Sequence, residues 1–369
     1  MKYLYFNAYF AGLSNCKLAL DIGVGLAHLT RRVLVIYNNR PIARGSFAAG
    51  VDERTAGKQP TVIDLYDCPV ERIDEEEFSN LPRGLTGYEL PMEAMTQSLF
   101  YFPNDLEIND SRFNDFRNGR KHAFTVTPDM DRADVICVTG KTLGQYSYSF
   151  YLAEENRKDL VRIMKAVTPK RAYQKFADEL SAHLGRFNAL HIRRGDFLDW
   201  SSAPRAAAVS AQEILDNIRQ ILPTDEPLAI CTDESWNGDY FRPILDAYKR
   251  AFFIDRFILG EKYWSGYFQA LPHHDEVVLA LLSQLTASSA SNFVGTLCST
   301  FTGLIHRARG FNLAEERFFF AYNQFNDGPI FRNCEFIPMH QGHFSWNRYG
   351  YPIAPNAFSW FREWPEAFR

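Results

Sequence analysis

The chain has 369 residues, 46% hydrophobic and 23% charged, with a formal net charge of -4 at pH 7. This length exceeds the size at which one hydrophobic core usually keeps growing, so two domains are predicted. The slight acidic excess argues against a general nucleic-acid or anionic-membrane binder, because such proteins rely on lysine and arginine. No apolar run reaches the roughly 18 to 20 residues that span a bilayer. The opening residues lack a secretory signal pattern, which predicts a cytoplasmic location.

Cysteine and histidine spacing does not predict a metal site. The cysteines are scattered and form no C-x-x-C pair, which predicts buried thiols rather than disulfides or metal knuckles. The adjacent His273 and His274, like the pair His340 and His343, lack the neighbouring ligands of a zinc site. We therefore expect neither a bound metal nor another cofactor.

The first 36 residues predict a β-loop-α-β unit. A strand at Tyr3 to Phe6 is followed by a loop at Ala11 to Asn15, a helix at Cys16 to Arg32 and a second strand at Val33 to Ile36. This order places the loop that contains Gly12 at the C-terminal edge of the first parallel strand. The next segment, about residues 40 to 118, is rich in turns and charges, and its run Glu75 to Glu77 predicts a solvated helix start.

The second half predicts a more regular alternation of strands and helices. Ser210 and Glu213 form a capping box that opens a helix. Strands are predicted at 187–192, 228–231, 251–254 and 292–294, and helices at 210–222, 241–248, 276–285 and after Ser299-Thr300. This alternation predicts a doubly wound parallel sheet, and two such halves predict a two-domain α/β enzyme with a cleft between them.

Two adjacent arginines, Arg193 and Arg194, follow the predicted strand that ends in His191 and Ile192. Ligands of open α/β sheets bind at the C-terminal ends of the strands. Guanidinium groups suit the paired oxygens of phosphate, so the position predicts a pyrophosphate site. The alternative is a structural cluster in which these arginines pair with Asp196 or Asp199.

Three motifs carry a family resemblance. AGLSN at 11–15, HIRRGDF at 191–197 and STFTGLIHRARG at 299–310 resemble motifs of the GDP-fucose-dependent fucosyltransferases, the superfamily of protein O-fucosyltransferases, α1,6-fucosyltransferases and the nodulation fucosyltransferase. The resemblance implies a GT-B fold of two Rossmann-like domains and inverting, metal-independent transfer of fucose from GDP-fucose. We expect an acceptor-side domain at 1–178 and a GDP-sugar domain at 179–335. The aromatic residues after Arg317 predict a tail, at 336–369, that packs back on the first domain, with a platform that stacks on the sugar rings of an acceptor as the alternative.

The resemblance also implies roles for individual residues. Arg193 would contact the β-phosphate and stabilise departing GDP, and Asn15 would lie on the acceptor side, which makes these two the expected catalytic residues. The expected donor-binding residues are Gly12, His191, Arg193, Arg194, Thr232, Asp233, Ser299, Thr300, Phe301 and Arg309, with Arg307 as a weaker match to the late basic residue.

Two functions have no clear residue in this chain: recognition of guanine and deprotonation of the acceptor. The carboxylate that reads guanine has no obvious counterpart, and Asp275, Glu276 and Gln284 stay open as candidates. No catalytic base stands out, because Asp196 suits orientation of a guanidinium better than deprotonation of an acceptor. The acceptor, a glycan or a protein, is not encoded in a motif.

Two alternatives to this function stay open. A catalytically silent relative would bind a nucleotide or glycan without transfer, although intact Arg193 and Asn15 favour the enzyme. The α1,2-fucosyltransferases share an H-x-R-R-x-D core, but their late motif carries tryptophans where this chain has Thr302, Gly303 and Leu304.

Overall fold

The computed structural model describes most of both halves of the chain. The described residues are 1–7, 12–37, 39–43, 59–82, 84–91, 126–139, 159, 162–163, 165–195, 210–219, 221–234, 237–296, 299–312, 318–319, 321–322 and 337–338. The predicted aromatic packing of the tail and the candidate partners Asp196 and Asp199 lie outside these residues.

The first half forms a parallel five-stranded sheet in the order β3-β2-β1-β5-β4. Its strands are β1 (Tyr3–Asn7), β2 (Val33–Tyr37), β3 (Arg72–Ile73), β4 (Gly87–Pro91) and β5 (Val135–Thr139). The predicted β-loop-α-β unit is confirmed, with β1 paired to β2 along its whole length. Gly12, which precedes α1, therefore lies toward the C-terminal edge of the sheet, whereas residues 13–15 of the predicted loop belong to the helix and residue 11 lies outside the described part.

Four helices are described in this half. They are α1 (Leu13–Thr30), α2 (Val62–Leu65), α3 (Glu75–Ser79) and α4 (Pro128–Arg132). The solvated helix start at Glu75 is confirmed, because Asp74 caps α3 by accepting a hydrogen bond from the Glu77 amide at 2.7 Å. Helix α1 begins three residues earlier than predicted and is buried on nearly every side, rather than on one face alone.

The second half contains another parallel five-stranded sheet, in the order β11-β9-β6-β7-β8. Its strands are β6 (Asn188–Ile192), β7 (Leu228–Thr232), β8 (Ala251–Phe253), β9 (Phe293–Thr296) and β11 (Ala321–Tyr322), while β10 (Phe318–Phe319) pairs antiparallel with β12 (Ile337–Pro338). All residues of β6 and β7 are buried, as expected of central parallel strands covered on both faces. The predicted α/β fold with parallel sheets is confirmed.

The helices of the second half surround this sheet. They are α5 (Arg171–Leu184), α6 (Ala211–Ile218), α7 (Gly238–Ala247), α8 (Ile254–Gly260), α9 (Lys262–Gln269), α10 (Glu276–Ser288) and α11 (Thr300–Asn312). The capping box is confirmed: the Ser210 amide donates to Glu213 Oε2 at 2.8 Å, and the Glu213 amide donates to Ser210 Oγ at 3.2 Å. Strand β9 runs two residues further than predicted, so Gly295 belongs to the strand and not to the turn.

The two sheets share one hydrophobic core. It includes Leu4 and Phe6 of β1, Leu281 and Leu282 of α10, and Ile305 of α11. Helix α1 contacts both α10 and α11, so it joins the halves. The domain boundary near residue 178 stays a prediction. Within the described part of the chain, no helix has the length and apolar character to cross a bilayer.

Candidate functional site

The C-terminal ends of three neighbouring strands bring the predicted site residues together. Strand β6 lies between β9 and β7, and all three run parallel. His191 and the two arginines therefore lie between the residues that follow β7 and the first turn of α11, the helix that comes after β9. This is the edge at which open α/β sheets bind ligands.

His191 is buried and contacts the first turn of α11. Its Nδ1 lies 2.7 Å from Oγ1 of Thr302, and its ring stacks on Phe301 with the ring centres 4.7 Å apart. Burial, and secondly the charge of Arg193, hold the pKa of His191 well below 6.5. The imidazole is therefore neutral at physiological pH, with one donor and one acceptor nitrogen.

Gly295 allows α11 to pack close against β9. A Cβ at this position would lie 2.4 Å from Cγ2 of Thr302, far inside van der Waals contact. Any side chain at Gly295 would push α11 away from β9. The glycine thus sets the distance between the strand and the helix that carries Ser299, Thr300 and Phe301.

Arg193 lies at the site and is held from two directions. Its amide donates to Oγ1 of Thr296 at 2.9 Å, and the same hydroxyl donates to the His191 carbonyl at 3.1 Å. Its Nε lies 3.4 Å from Oδ2 of Asp233, which is itself 2% exposed, while the Arg193 side chain is 20% exposed. The contact orients the guanidinium and leaves part of it accessible to a ligand.

Arg194 has a different environment from its neighbour. Its Nε donates to Oε2 of Glu234 at 2.8 Å, and its guanidinium lies 3.7 Å from the centre of the Tyr240 ring. Burial alone would lower the pKa of Arg194, but the contacts with Glu234 and Tyr240 raise it. An internal acid, Glu234, therefore pairs with this arginine, in the manner of the structural alternative; Asp196 and Asp199, which that alternative named, lie outside the described residues. Donor binding by Arg194 stays a prediction that these contacts do not favour.

The residues after β7 support the arginines. Asp233 accepts the Arg194 amide at Oδ1, at 2.9 Å, while its other oxygen faces Arg193. Thr232 accepts the Glu234 amide at 3.2 Å. Both predicted residues therefore lie at the site. Their contacts fix the backbone at Arg193 and Arg194, the segment that we call the arginine turn.

Three side-chain atoms at the helix starts and the strand end are buried without a hydrogen-bond partner among the described residues. They are Nε2 of His191, Oγ of Ser299 and Oδ1 of Asn15. Ser299 immediately precedes α11, and Asn15 lies in the first turn of α1. A buried polar atom without a partner costs about 1 to 3 kcal/mol, so these three atoms at the helix starts and the strand end are candidate contacts for a ligand or water.

The predicted residues Gly12 and Thr300 lie at the starts of the same two helices. Gly12 is the N-cap of α1, and a Cβ there would meet no atom within 4 Å, so this position does not depend on glycine for packing. Thr300 is half-buried in the first turn of α11. Their donor contacts stay predictions.

A small pocket opens beside His191. It is lined by the imidazole, Phe301, Thr232 and Cys231, by Asp255 at the start of α8, and by one face of α10 that carries Glu276, Leu279, Ala280 and Ser283. The pocket has a volume of about 20 Å³, which is room for about one water. A purine base requires one of these walls to move. Two carboxylates, Asp255 and Glu276, line this pocket.

The three candidates for base recognition have different positions. Asp275 is the N-cap of α10 and accepts the Val278 amide at 3.1 Å, which gives it a structural role. Gln284 donates from Nε2 to Ser14 Oγ and to the Phe301 carbonyl, both at 3.2 Å, and does not line the pocket. Glu276 alone among the three lines it.

Donor binding by Arg309 stays a prediction that its contacts do not favour. Its guanidinium donates to the Ala290 carbonyl and, at 3.1 Å, to that of Ser291. These carbonyls precede β9, whereas the site lies beyond the C-terminal end of that strand. The last turn of α11 therefore contacts the segment before β9, while its first turn lies at the site. Arg307 is also buried, and its Nη1 lies 2.8 Å from Oδ2 of Asp21 in α1.

Sequence reasoning missed several residues at this site. Glu234 and Tyr240 hold Arg194, and Asp255 adds a carboxylate to the pocket. Glu234 could have been found from the acidic pair that follows β7. Asp255 follows the short strand β8, and no motif marks its position. In the described part of the chain, no group of three or more histidine, cysteine, aspartate or glutamate side chains is arranged to hold a metal ion.

Comparisons with known proteins gave similarity to solved structures alone. No family model matches the chain, and no curated protein matches it in sequence. The fucosyltransferase NodZ from Bradyrhizobium is 14% identical over 82% of this chain and 92% of its own, with a TM-score of 0.44. POFUT1 in complex with GDP is 13% identical over 87% and 98%, with a TM-score of 0.45. A FUT1 mutant from Arabidopsis thaliana in complex with GDP is 13% identical over 87% and 70%, with a TM-score of 0.46.

Proposed function

We propose that the protein is a glycosyltransferase of GT-B architecture that transfers L-fucose from GDP-fucose to a hydroxyl group of a glycan or protein, with inversion and without a metal ion. The observation that carries the proposal is a pair of buried atoms at the same edge of the sheet as Arg193, His191 Nε2 and Ser299 Oγ, which have no hydrogen-bond partner in the described part of the chain. Together with the three sequence motifs, it supports a nucleotide diphosphate as the ligand.

The chemistry of the site suits a diphosphate. Arg193 brings a guanidinium whose fork geometry matches phosphate oxygens. The N-terminus of the 13-residue helix α11 adds amide donors and the positive end of a helix dipole. Ser299, 3% exposed, supplies a hydroxyl at the same point. The second half is therefore the donor-binding half of the proposed enzyme.

In the proposed enzyme, the base binds in the pocket that His191 lines. Guanine presents two adjacent donors, its N1–H and its 2-amino group, and a carboxylate can accept both. Glu276 is the proposed reader because it alone among the three candidates lines the pocket. The neutral His191 offers Nε2 to the base or ribose. Entry of the base requires the pocket wall to move, since the cavity holds only about one water.

The proposed reaction gathers negative charge on the leaving group. The bond between C1 of fucose and the β-phosphate oxygen breaks, the acceptor oxygen bonds to C1 from the opposite face, and the hydroxyl proton is released. A fixed cation at the departing phosphate stabilises this transition state, and one such donor is typically worth about 3 to 4 kcal/mol. Arg193 has this role in the proposal, and Asn15 of α1 orients the acceptor side.

A nucleotide panel with the purified protein tests the proposal. We expect GDP to raise the melting temperature and to bind more tightly than UDP or ADP, and GDP-fucose to be hydrolysed slowly with water as the acceptor. Stabilisation by UDP but not GDP would overturn the donor assignment. Tight GDP binding without any cleavage of GDP-fucose would instead favour the catalytically silent alternative.

A further inference from the structure

We infer that Gln284 is a positioning residue that couples the first turn of α1 to the first turn of α11, and that it does not read the base. This inference rests on the proposed function. The residue lies in the middle of α10, 5% exposed, and its side-chain amide joins two segments that the sequence separates by almost 290 residues. One segment is the start of α1, and the other is the start of α11.

The hydrogen-bond geometry defines this role. Nε2 of Gln284 carries two hydrogens, and both find acceptors: Ser14 Oγ at 3.2 Å and the Phe301 carbonyl at 3.2 Å. Ser14 is next to Asn15, the residue expected on the acceptor side. Phe301 stacks on His191 and lines the pocket. A single amide group therefore fixes the acceptor-side turn relative to the donor-side turn.

The surrounding packing makes this contact specific. Ser14 is buried at 6% exposure, and α1, α10 and α11 contact one another. A second polar contact, between Asp21 of α1 and Arg307 of α11, lies about two helical turns further along both helices. That ion pair holds the helices together deeper in the interface. Gln284 is the contact at the helix starts, where ligands would meet.

We call the two hydrogen bonds of Gln284 the bridge. Its loss should impair catalysis but not the binding of GDP. In the proposed enzyme GDP is held by residues of the second half, so losing the bridge leaves the GDP contacts in place. Asn15, by contrast, is carried on α1, and its position relative to the sugar depends on the registration of α1 against α11. Turnover should therefore fall while the affinity for GDP and the preference for guanine are kept.

The test compares Gln284→Met with the wild type. Methionine has nearly the same length and fills the same space, but it lacks the two N–H donors. We expect the rate of GDP-fucose hydrolysis to fall at least tenfold, the Kd for GDP to stay within threefold, and the ratio of GDP to UDP affinity to be unchanged. Ser14→Ala removes one arm of the bridge and should give a smaller loss in the same direction, with no additional loss beyond Gln284→Met when both are combined.

Thr286→Val is the matched control. Thr286 lies two residues further along α10, is fully buried, and its hydroxyl has no hydrogen-bond partner among the described residues. It should change thermal stability without separating turnover from GDP affinity. If Gln284→Met lowers stability but leaves hydrolysis unchanged, the residue is merely structural and the inference is wrong.

A changed ratio of GDP to UDP affinity in Gln284→Met would mean that Gln284 reads the base, and it would also overturn the inference. The measurements on the wild-type protein show separately whether the proposed function itself fails. A wild-type protein that neither binds GDP nor cleaves GDP-fucose would overturn both proposals before any variant is compared.

Discussion

Nδ1 of His191 and Oγ1 of Thr302 lie 2.7 Å apart, although 111 residues separate them in the sequence. This contact joins the end of β6 to the first turn of α11. It occupies one ring nitrogen and leaves Nε2 for the pocket. The penultimate residue of the central strand therefore also fixes the helix whose N-terminus is proposed to hold phosphate.

His191 should make stability depend on pH. Its pKa is held well below 6.5 by burial and by Arg193, and unfolding restores the ordinary value. The unfolded chain therefore binds an extra proton below pH 6.5, so the free energy of unfolding falls as the pH drops, by up to about 1.4 kcal/mol per pH unit. Above pH 6.5 this contribution is constant. We expect His191→Asn to remove this part of the slope in urea unfolding between pH 5 and 8.

The matched control for the loss of an imidazole is His183→Asn, at an exposed position on α5. Equal slopes for the wild type and His191→Asn would show that His191 titrates normally in the folded protein. The buried, neutral imidazole of the proposed site would then be incorrect.

Arg193→Ala should impair the proposed reaction far more than the fold. Loss of one donor aimed at the leaving group typically costs about 3 to 4 kcal/mol in the transition state, or a factor of roughly 10² to 10³ in turnover. Because Arg193 is 20% exposed and its contact with Asp233 is 3.4 Å, the loss of thermal stability should be small. Hydrolysis of GDP-fucose and thermal unfolding measure the two effects. Turnover near that of the wild type would contradict the role of Arg193.

Arg194 and Glu234 should show the opposite behaviour. Removal of one partner from a buried ion pair leaves an uncompensated charge and typically costs about 3 to 5 kcal/mol. We expect Arg194→Met to lower the free energy of unfolding by about this amount and Arg194→Met with Glu234→Leu to recover most of it. Chemical denaturation of the two single variants and the double variant gives the coupling energy. Additive losses would mean that the pair does not stabilise the arginine turn.

Glu276→Gln should weaken GDP binding selectively. The neutral amide accepts less strongly and offers only one oxygen to the two adjacent donors of guanine, so a loss of about 10- to 100-fold in affinity is expected. Binding of UDP should change little. Asp255→Asn is the comparison, since Asp255 is the other carboxylate that lines the pocket. A larger effect in Asp255→Asn would transfer the role of base reader to that residue.

The regular elements of the second half were predictable because their signals are local. Leu228 to Cys231 form a continuous apolar run, as central parallel strands require, and Ser210 with Glu213 specifies a helix start within four residues. Helices α8 and α9 were not predicted. They follow one another directly, with Glu261 between them, so no loop signal separates them from each other.

The partners of the charged residues could not be predicted in the same way. Arg307 and Arg309 are two residues apart on one helix, yet one meets Asp21 of α1 and the other meets carbonyls before β9. Both contacts depend on how α11 packs, which no local pattern encodes. The same reason explains Gln284: its sequence position suggested base recognition, while packing against Ser14 turned its amide toward the helix starts.

Helix α11 is fastened at both of its ends. Thr302 locks the first turn to His191 and fits against Gly295, and Arg309 anchors the last turns to the carbonyls of Ala290 and Ser291. The helix therefore cannot slide or tilt without breaking bonds to the sheet that it covers. A hinge motion between the halves would carry α11 along with the second sheet, so the sliding surface would be the one that faces α1.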